Sequence, residues 1–301
     1  MSDEKRVYVG GQAVIEGVMM RNNSRVAIAV RKGGGGIAVI RKDFSSIGAR
    51  VPFLKWPVFR GAVAFVEALV LGIQCLASSA EEVLDEEEEQ FKWWELPLTI
   101  GIAMAAGIGL FILLPTFLVR FMKQGLEMPL LLNLLEGGLR LTIFLGYVFI
   151  ISRWKEVGRI FQYHGAEHKA IACYEAGRPL DVDCARLFSP LHRRCGTSFL
   201  LIVMVTSIVL FSFFGWPELW QRILIRLSLL PLVAGISYEA IRLAAAKDNL
   251  LSRLISQPGL WLQMLTTKNP ADDQLEVAIC ALKEVLPDSQ TSDPGKNLEV
   301  I

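Results

Sequence analysis

LPLTIGIAMAAGIGLFILLPTFLV, running from Leu96 to Val119, is 24 residues without one ionisable side chain. A hydrocarbon core about 30 Å thick needs about 20 apolar helical residues, so this stretch can cross a bilayer with some tilt. A second run, Gly196 to Pro217, holds 22 uncharged residues rich in Leu, Ile, Val and Phe. Two shorter runs, Leu141–Ser152 and Leu227–Tyr238, hold 12 each. They reach spanning length only by extending back past Arg140 toward Glu136 and past Arg226 toward Trp220. An arginine near a helix end tolerates this by snorkelling to the headgroups. The expectation is a mainly α membrane protein, a four-span helical bundle over residues 96–238.

Composition agrees. Of 301 residues, 52% are hydrophobic and 20% charged, and the mean hydropathy is +0.42. That is too apolar for a disordered chain and unusually apolar for a soluble domain. A net charge of +1 carries no electrostatic footprint for nucleic acid, so the expected partner is the lipid bilayer. Five scattered cysteines do not make a disulfide-stapled scaffold. The start, MSDEKRVYVGGQ, has no apolar stretch of the kind a cleaved signal peptide carries.

Loop charges set the orientation. Residues 1–60 carry eleven Lys and Arg, the loop 153–195 carries eight, and the connector Gly215–Gln221 carries none. By the positive-inside rule the basic loops and both termini face the cytoplasm of a multi-pass cell-membrane protein. The segment 57–84 complicates the count. Arg60, Glu67, Gln74, Ser78 and Glu81 fall on one helical face. A span here would leave the basic N-terminal region outside. An amphipathic or re-entrant helix in the cytoplasmic interface is therefore expected, with a polar-lined span as the alternative.

Outside the bundle, residues 7–56 read as a small antiparallel β meander. Gln12–Met20, Val26–Arg31 and Ile37–Ile40 are strands, separated by Arg21-Asn22-Asn23-Ser24 and by Gly33–Gly36. The glycine tract reads as a hairpin turn, since no Lys-Ser/Thr follows it as in a phosphate loop. Residues 85–95 form an acidic, solvated connector. Ser237–Ile255 reads as a helix broken by Pro258-Gly259. Pro270–Leu286 reads as a last cytoplasmic helix, capped by Asn269 and apolar along Leu275, Ile279, Leu282 and Val285. Those C-terminal helices occupy 239–286, and 287–301 is expected to be a disordered tail.

The chain has three histidines, His164, His168 and His192, all in the basic loop 153–195. Phe161–Glu175 is helix-compatible. His164 and His168, four apart, project from one face, a common way to offer two imidazoles to one metal ion. With Glu167 they match the H-x-x-E-H pattern of inverted zinc peptidases, in which the carboxylate acts as general base on a metal-activated water. Glu175 shares the face but lies about 10.5 Å beyond His168 along a straight helix. His192 and Cys195, three apart and just before the third span, are the better third ligands. A cytosolic thiol stays reduced and suits zinc. Cys173 points away from His164 and reads as packing. Glu239, at the inner end of the last span, is a further ligand or orienting candidate.

Together these stretches resemble the YqhQ-like bacterial multi-pass membrane proteins, a family of unknown function. The residues that carry the resemblance are Gly10-Gly11-Gln12-Ala13-Val14-Ile15-Glu16-Gly17-Val18-Met19-Met20-Arg21, His164-Gly165-Ala166-Glu167-His168-Lys169, Cys195-Gly196-Thr197-Ser198-Phe199, Ser237-Tyr238-Glu239 and Leu265-Thr266-Thr267. It covers about Val7 to Leu286. Arg193 departs from it, standing where proline is expected. The resemblance implies a metal-dependent enzyme with no substrate assigned, and adds Glu16, Arg21, Tyr238 and Glu239 as site candidates.

The functional expectation is a zinc-dependent hydrolase at the cytoplasmic membrane face, with Glu167 as base and His164, His168 and either His192 or Cys195 as ligands. The substrate is open between lipid-linked and peptide bonds. The alternative is a membrane scaffold whose zinc pins the loop to the third span while the meander recruits a cytosolic protein. A transporter fits less well, since the spans hold few ionisable groups and no inverted repeat.

Overall fold

The computed structural model describes residues 7–22, 24–83, 94–122, 128–193, 195–246 and 250–287. Most of the acidic connector and nearly all of the expected tail lie outside the described residues.

The N-terminal region is a meander of β1 (Gly10–Val14), β2 (Gly17–Arg21), β3 (Arg25–Arg31) and β4 (Ile37–Asp43), each antiparallel to the next. The expected single strand Gln12–Met20 is instead a hairpin turning at Ile15-Glu16. Glu16 takes a left-handed φ of 48°. A side chain on Gly17 would start 2.2 Å from the Ala29 carbonyl, so only glycine lets β2 lie against β3 there. The glycine tract closes β3 to β4, as expected of a hairpin, with Gly35 at φ 90°.

Both faces of this sheet are covered. Strand alternation sends Val14, Met19, Val26, Ile28 and Val30 to one side, against Leu71 and Cys75 of α2. It sends Val18, Met20, Ala27 and Ala29 to the other, against two helices that follow much later. The short α1 (Ile47–Arg50) leads into α2 (Phe59–Val83). The apolar rod is α3 (Glu95–Ile108), a π turn at Gly109–Leu113 and α4 (Leu114–Met122). Next come α5 (Pro129–Ile151), α6 (Lys155–Glu175), α7 (Val182–Arg186), α8 (Gly196–Phe211), α9 (Leu219–Ala246), α10 (Leu250–Thr266) and α11 (Asp272–Val285). The region expected as a His-rich loop is largely α6, which packs with α11 on the second face of the sheet. The result is a three-layer unit, α2 over sheet over α6 and α11, attached to a bundle of long apolar helices.

By length and composition five of the described helices can cross a membrane, not the four expected. The addition is Phe59–Val83, whose charges sit near its ends and on one face, leaving a window apolar enough to qualify. Two further boundaries differ. α10 runs through Pro258, and Gly259 marks a close approach to α8: a Cβ there would lie 2.2 Å from the Ser198 hydroxyl oxygen. α11 begins after Ala271 rather than Asn269, because the Gln274 side chain accepts the Ala271 backbone N–H at 2.9 Å.

Candidate functional site

α6 carries His164, Gly165, Ala166, Glu167 and His168 along its buried middle. Its neighbours at this point are the turn after α7, the segment after α10 and the N-terminus of α8. Cys195 is the N-cap of α8, so its sulfur sits where free backbone N–H groups converge. It accepts from the Thr197 N–H at 3.4 Å and lies 3.1 Å from the Thr197 hydroxyl.

One turn of α6 brings the two imidazoles to a ring separation of 4.4 Å. His164 donates through Nδ1 to the Thr266 carbonyl at 2.8 Å, leaving the Nε2 lone pair 3.1 Å from the Cys195 sulfur. His168 donates through Nδ1 to the Pro190 carbonyl, and its buried Nε2 has no hydrogen-bond partner. One donor atom each from His164, His168 and Cys195 lies within 4.8 Å of the others. A tetrahedral zinc ion asks for nitrogen–nitrogen and nitrogen–sulfur separations of about 3.3 and 3.6 Å. The donor types suit a borderline-soft divalent cation, which would draw the three atoms together from a spread of up to 4.8 Å. Backbone carbonyls that fix the tautomer and aim Nε2 inward are the usual support of a metal-bound histidine.

Burial governs the electrostatics. It holds His168 down to about 3, aided by His164, so this ring is neutral and ready to donate an electron pair. It pushes the Glu167 carboxyl up to about 8, with His164 opposing and Cys195 reinforcing. It also pushes the Cys195 thiol up, against the pull of the Thr197 side chain and the Thr197 and Ser198 backbone. A divalent cation would reverse the last two effects by favouring thiolate and carboxylate.

Four supporting residues have roles that sequence reasoning did not assign. Lys169 is buried and donates to the Arg186 and Phe188 carbonyls at 2.9 and 2.6 Å, fixing the turn that presents Pro190. Thr266 and Pro190 act through backbone carbonyls, which no side-chain pattern reveals. Gly165 lets α6 touch the segment after α10, since a Cβ there would fall 2.0 Å from the Lys268 carbonyl oxygen.

The remaining candidates lie elsewhere. His192 is outside the three-residue cluster; its Nε2 faces Glu175 at 3.1 Å, with the ring 5.7 Å from that of His168. Its backbone is clamped at both ends by Gln263. Glu16 takes a two-pronged pair from Arg159 and a bond from the Tyr163 hydroxyl, tying the β1–β2 turn to α6. Arg21 stacks on Phe44 at 3.6 Å. Glu239 binds Arg60 through both oxygens, and Tyr238 packs at Gly61, so this pair joins α9 to α2. Cys173 is in the core between α6 and α11, as expected.

Residues 56–288 match the family described as "Protein of unknown function (DUF1385)". The chain is 34% identical over 296 residues, 92% of each chain, to "Uncharacterized protein YqhQ" of Bacillus subtilis (strain 168). No solved structure matches it.

Proposed function

The chain belongs to the DUF1385 family of proteins of unknown function, and on that footing we propose a multi-pass membrane metallohydrolase. His164, His168 and Cys195 hold one divalent cation, most naturally zinc, beneath the headgroups on the cytoplasmic side. The observation that carries this reading is the orphaned, buried Nε2 of His168, aimed at a thiol and a second imidazole. An unpaired buried acceptor costs free energy unless something fills the gap.

When bound, the cation supplies Lewis acidity toward water and a carbonyl or phosphoryl oxygen. Glu167, on the same helix but outside the three-residue cluster, with Oε1 beside Gly11 of β1, takes the proton of the attacking water and returns it to the leaving group. Its raised pKa in the metal-free fold keeps it protonated near neutrality. The cation's charge is what makes it a base. His164 and His168 keep their orientation throughout, held by the Thr266 and Pro190 carbonyls.

One observation favours a second reading, a structural metal. His164, Glu167, His168 and Cys195 are exposed by only 8, 5, 1 and 8%. If Glu167 is a fourth ligand, the site is closed and the metal pins α6 to α8. Metal analysis of the detergent-purified chain separates the cases. The hydrolase reading predicts one equivalent of metal in the wild type, little in His168→Ala, and one in Glu167→Gln. Loss of metal in Glu167→Gln supports the closed site, and a metal-free wild type removes both.

We also assign α2 to the membrane surface, leaving four spans. Ser46 and the Ile47 N–H bind Glu67, Lys42 binds Ser78, the Ile15 N–H binds Ser79 and Lys32 pairs with Glu82. A charged sheet docked over that length of helix does not belong at bilayer depth. On the opposite side Val66, Leu69, Val70 and Ile73 are exposed at helical spacing, as in a helix that rests on lipid.

A further inference from the structure

The far end of the bundle contains a second polar centre. Glu136, on α5, lies 15 residues before the Ile151 end that leads to the metal-site helix, about 22 Å along the axis. Its carboxylate is buried and accepts from the Thr116 hydroxyl at 2.8 Å, from Arg140 at 3.0 Å and from Arg226 at 2.7 Å. Its other oxygen accepts from Arg222. Arg140 also donates through Nε to the Phe111 carbonyl at 2.8 Å. Pro115, four residues on, has no N–H to give that carbonyl. Arg222 lies flat on the Trp216 ring at 3.7 Å. The arginines expected to snorkel outward instead turn inward.

Charge does not balance here. Among the described residues these three guanidiniums share a single carboxylate, leaving an excess of two positive charges inside spanning helices. Intramembrane cations are expensive and ordinarily meet a counter-charge. Each guanidinium has five N–H donors, more than Glu136 can accept. Arg222 and Arg226 also line a shallow cleft, open to one side, whose enclosed part is only about 10 Å³, together with Asn133, Phe211, Phe214 and Ile225, so a ligand would sit at its mouth. Two guanidinium forks beside apolar walls suit a tetrahedral oxyanion joined to an acyl tail.

We propose that this cleft binds a phosphate group between Arg222 and Arg226. Two sources share that chemistry, the headgroup of an anionic phospholipid in the surrounding leaflet and free inorganic phosphate. The phosphate oxygens take the N–H groups that Glu136 leaves over, and the apolar wall of Phe211, Phe214 and Ile225 accepts the first carbons of a lipid.

The test uses the full chain in neutral detergent, with adducts counted by native mass spectrometry. The probes are dioctanoyl phosphatidylglycerol, dioctanoylglycerol with the same tails and no phosphate, and inorganic phosphate. The expected result is binding of the phospholipid about tenfold tighter than of the neutral lipid. Ile225→Trp fills the cleft without touching an ion pair, and Arg226→Lys keeps the charge but loses the fork. Each should remove most of the preference. Inorganic phosphate that binds and displaces the phospholipid identifies free phosphate as the ligand. The proposal is overturned if phospholipid and neutral lipid bind alike and phosphate does not bind. It is equally overturned if a folded Ile225→Trp variant binds as the wild type does.

Discussion

Replacing Gly165 by alanine sets two opposed effects against each other next to His164 and His168, the histidines of the proposed metal site. Alanine is favoured over glycine inside a helix by about 1 kcal/mol, so α6 alone would gain. In the fold, however, the new Cβ would start 2.0 Å from the Lys268 carbonyl oxygen, where ordinary contact begins at 3.4 Å. The segment after α10 must therefore retreat by about 1.4 Å, and overpacking of this kind costs about 1–3 kcal/mol. The same retreat carries Thr266 away from His164. Its 2.8 Å hydrogen bond would stretch toward about 4.2 Å, beyond any useful length. The imidazole then loses the carbonyl that fixes its tautomer, a kind of change that typically weakens metal binding about 10–100-fold. Zinc competition against a chelator of known affinity measures the second effect, and thermal unfolding with and without chelator measures the first. A Gly165→Ala protein with unaltered zinc affinity and unaltered stability would refute the claim that this close approach supports the site.

Other perturbations have equally definite outcomes. Metal affinity should rise with pH by more than about tenfold per unit below about pH 8, because the bound cation displaces one proton from the Cys195 thiol and a second from Glu167, both of which burial holds up. His168, held near 3, adds no dependence above about pH 4, so a slope of only about tenfold per unit from pH 6 to 8 would show that a single proton leaves and would contradict the role given to Glu167. Lys169→Met removes both bonds to the turn before Pro190, and zinc affinity should fall about tenfold with the ligands intact, as read by the same competition assay. Glu16→Gln should lower stability by no more than about 1 kcal/mol, since its Arg159 partner is 44% exposed, and should leave metal content unchanged.

How far the sequence discloses this molecule depends on where the information resides. Uncharged runs such as Leu96–Val119 report helices directly, because a bilayer requires uninterrupted apolar length. The His164–His168 spacing reports a shared face for the same reason of helical geometry. That Cys195 rather than His192 joins His164 and His168 in one cluster is not legible in the sequence, since it depends on where α8 begins and on a Gln263 clamp that holds the His192 backbone. The hairpin at Glu16 hides within an apolar run. Only the 2.2 Å approach at Gly17 explains it, and that is a tertiary fact. Pro258-Gly259 misleads in the opposite direction: it reads as a break, but the glycine serves a helix–helix contact with Ser198. Arg140 and Arg226 read singly as snorkelling residues, whereas together with Arg222 they surround Glu136. α2 satisfies the length and hydropathy of a span, and the surface placement proposed for it rests on contacts with the sheet that the sequence does not show.

X-ray absorption at the zinc edge on the detergent-purified full chain bears most directly on the proposed metal centre. Two nitrogen scatterers at about 2.0 Å and one sulfur at about 2.3 Å, the sulfur disappearing in Cys195→Ser, is the predicted result. Zinc surrounded by nitrogen and oxygen alone in the wild type, or a protein that retains no metal, would contradict it.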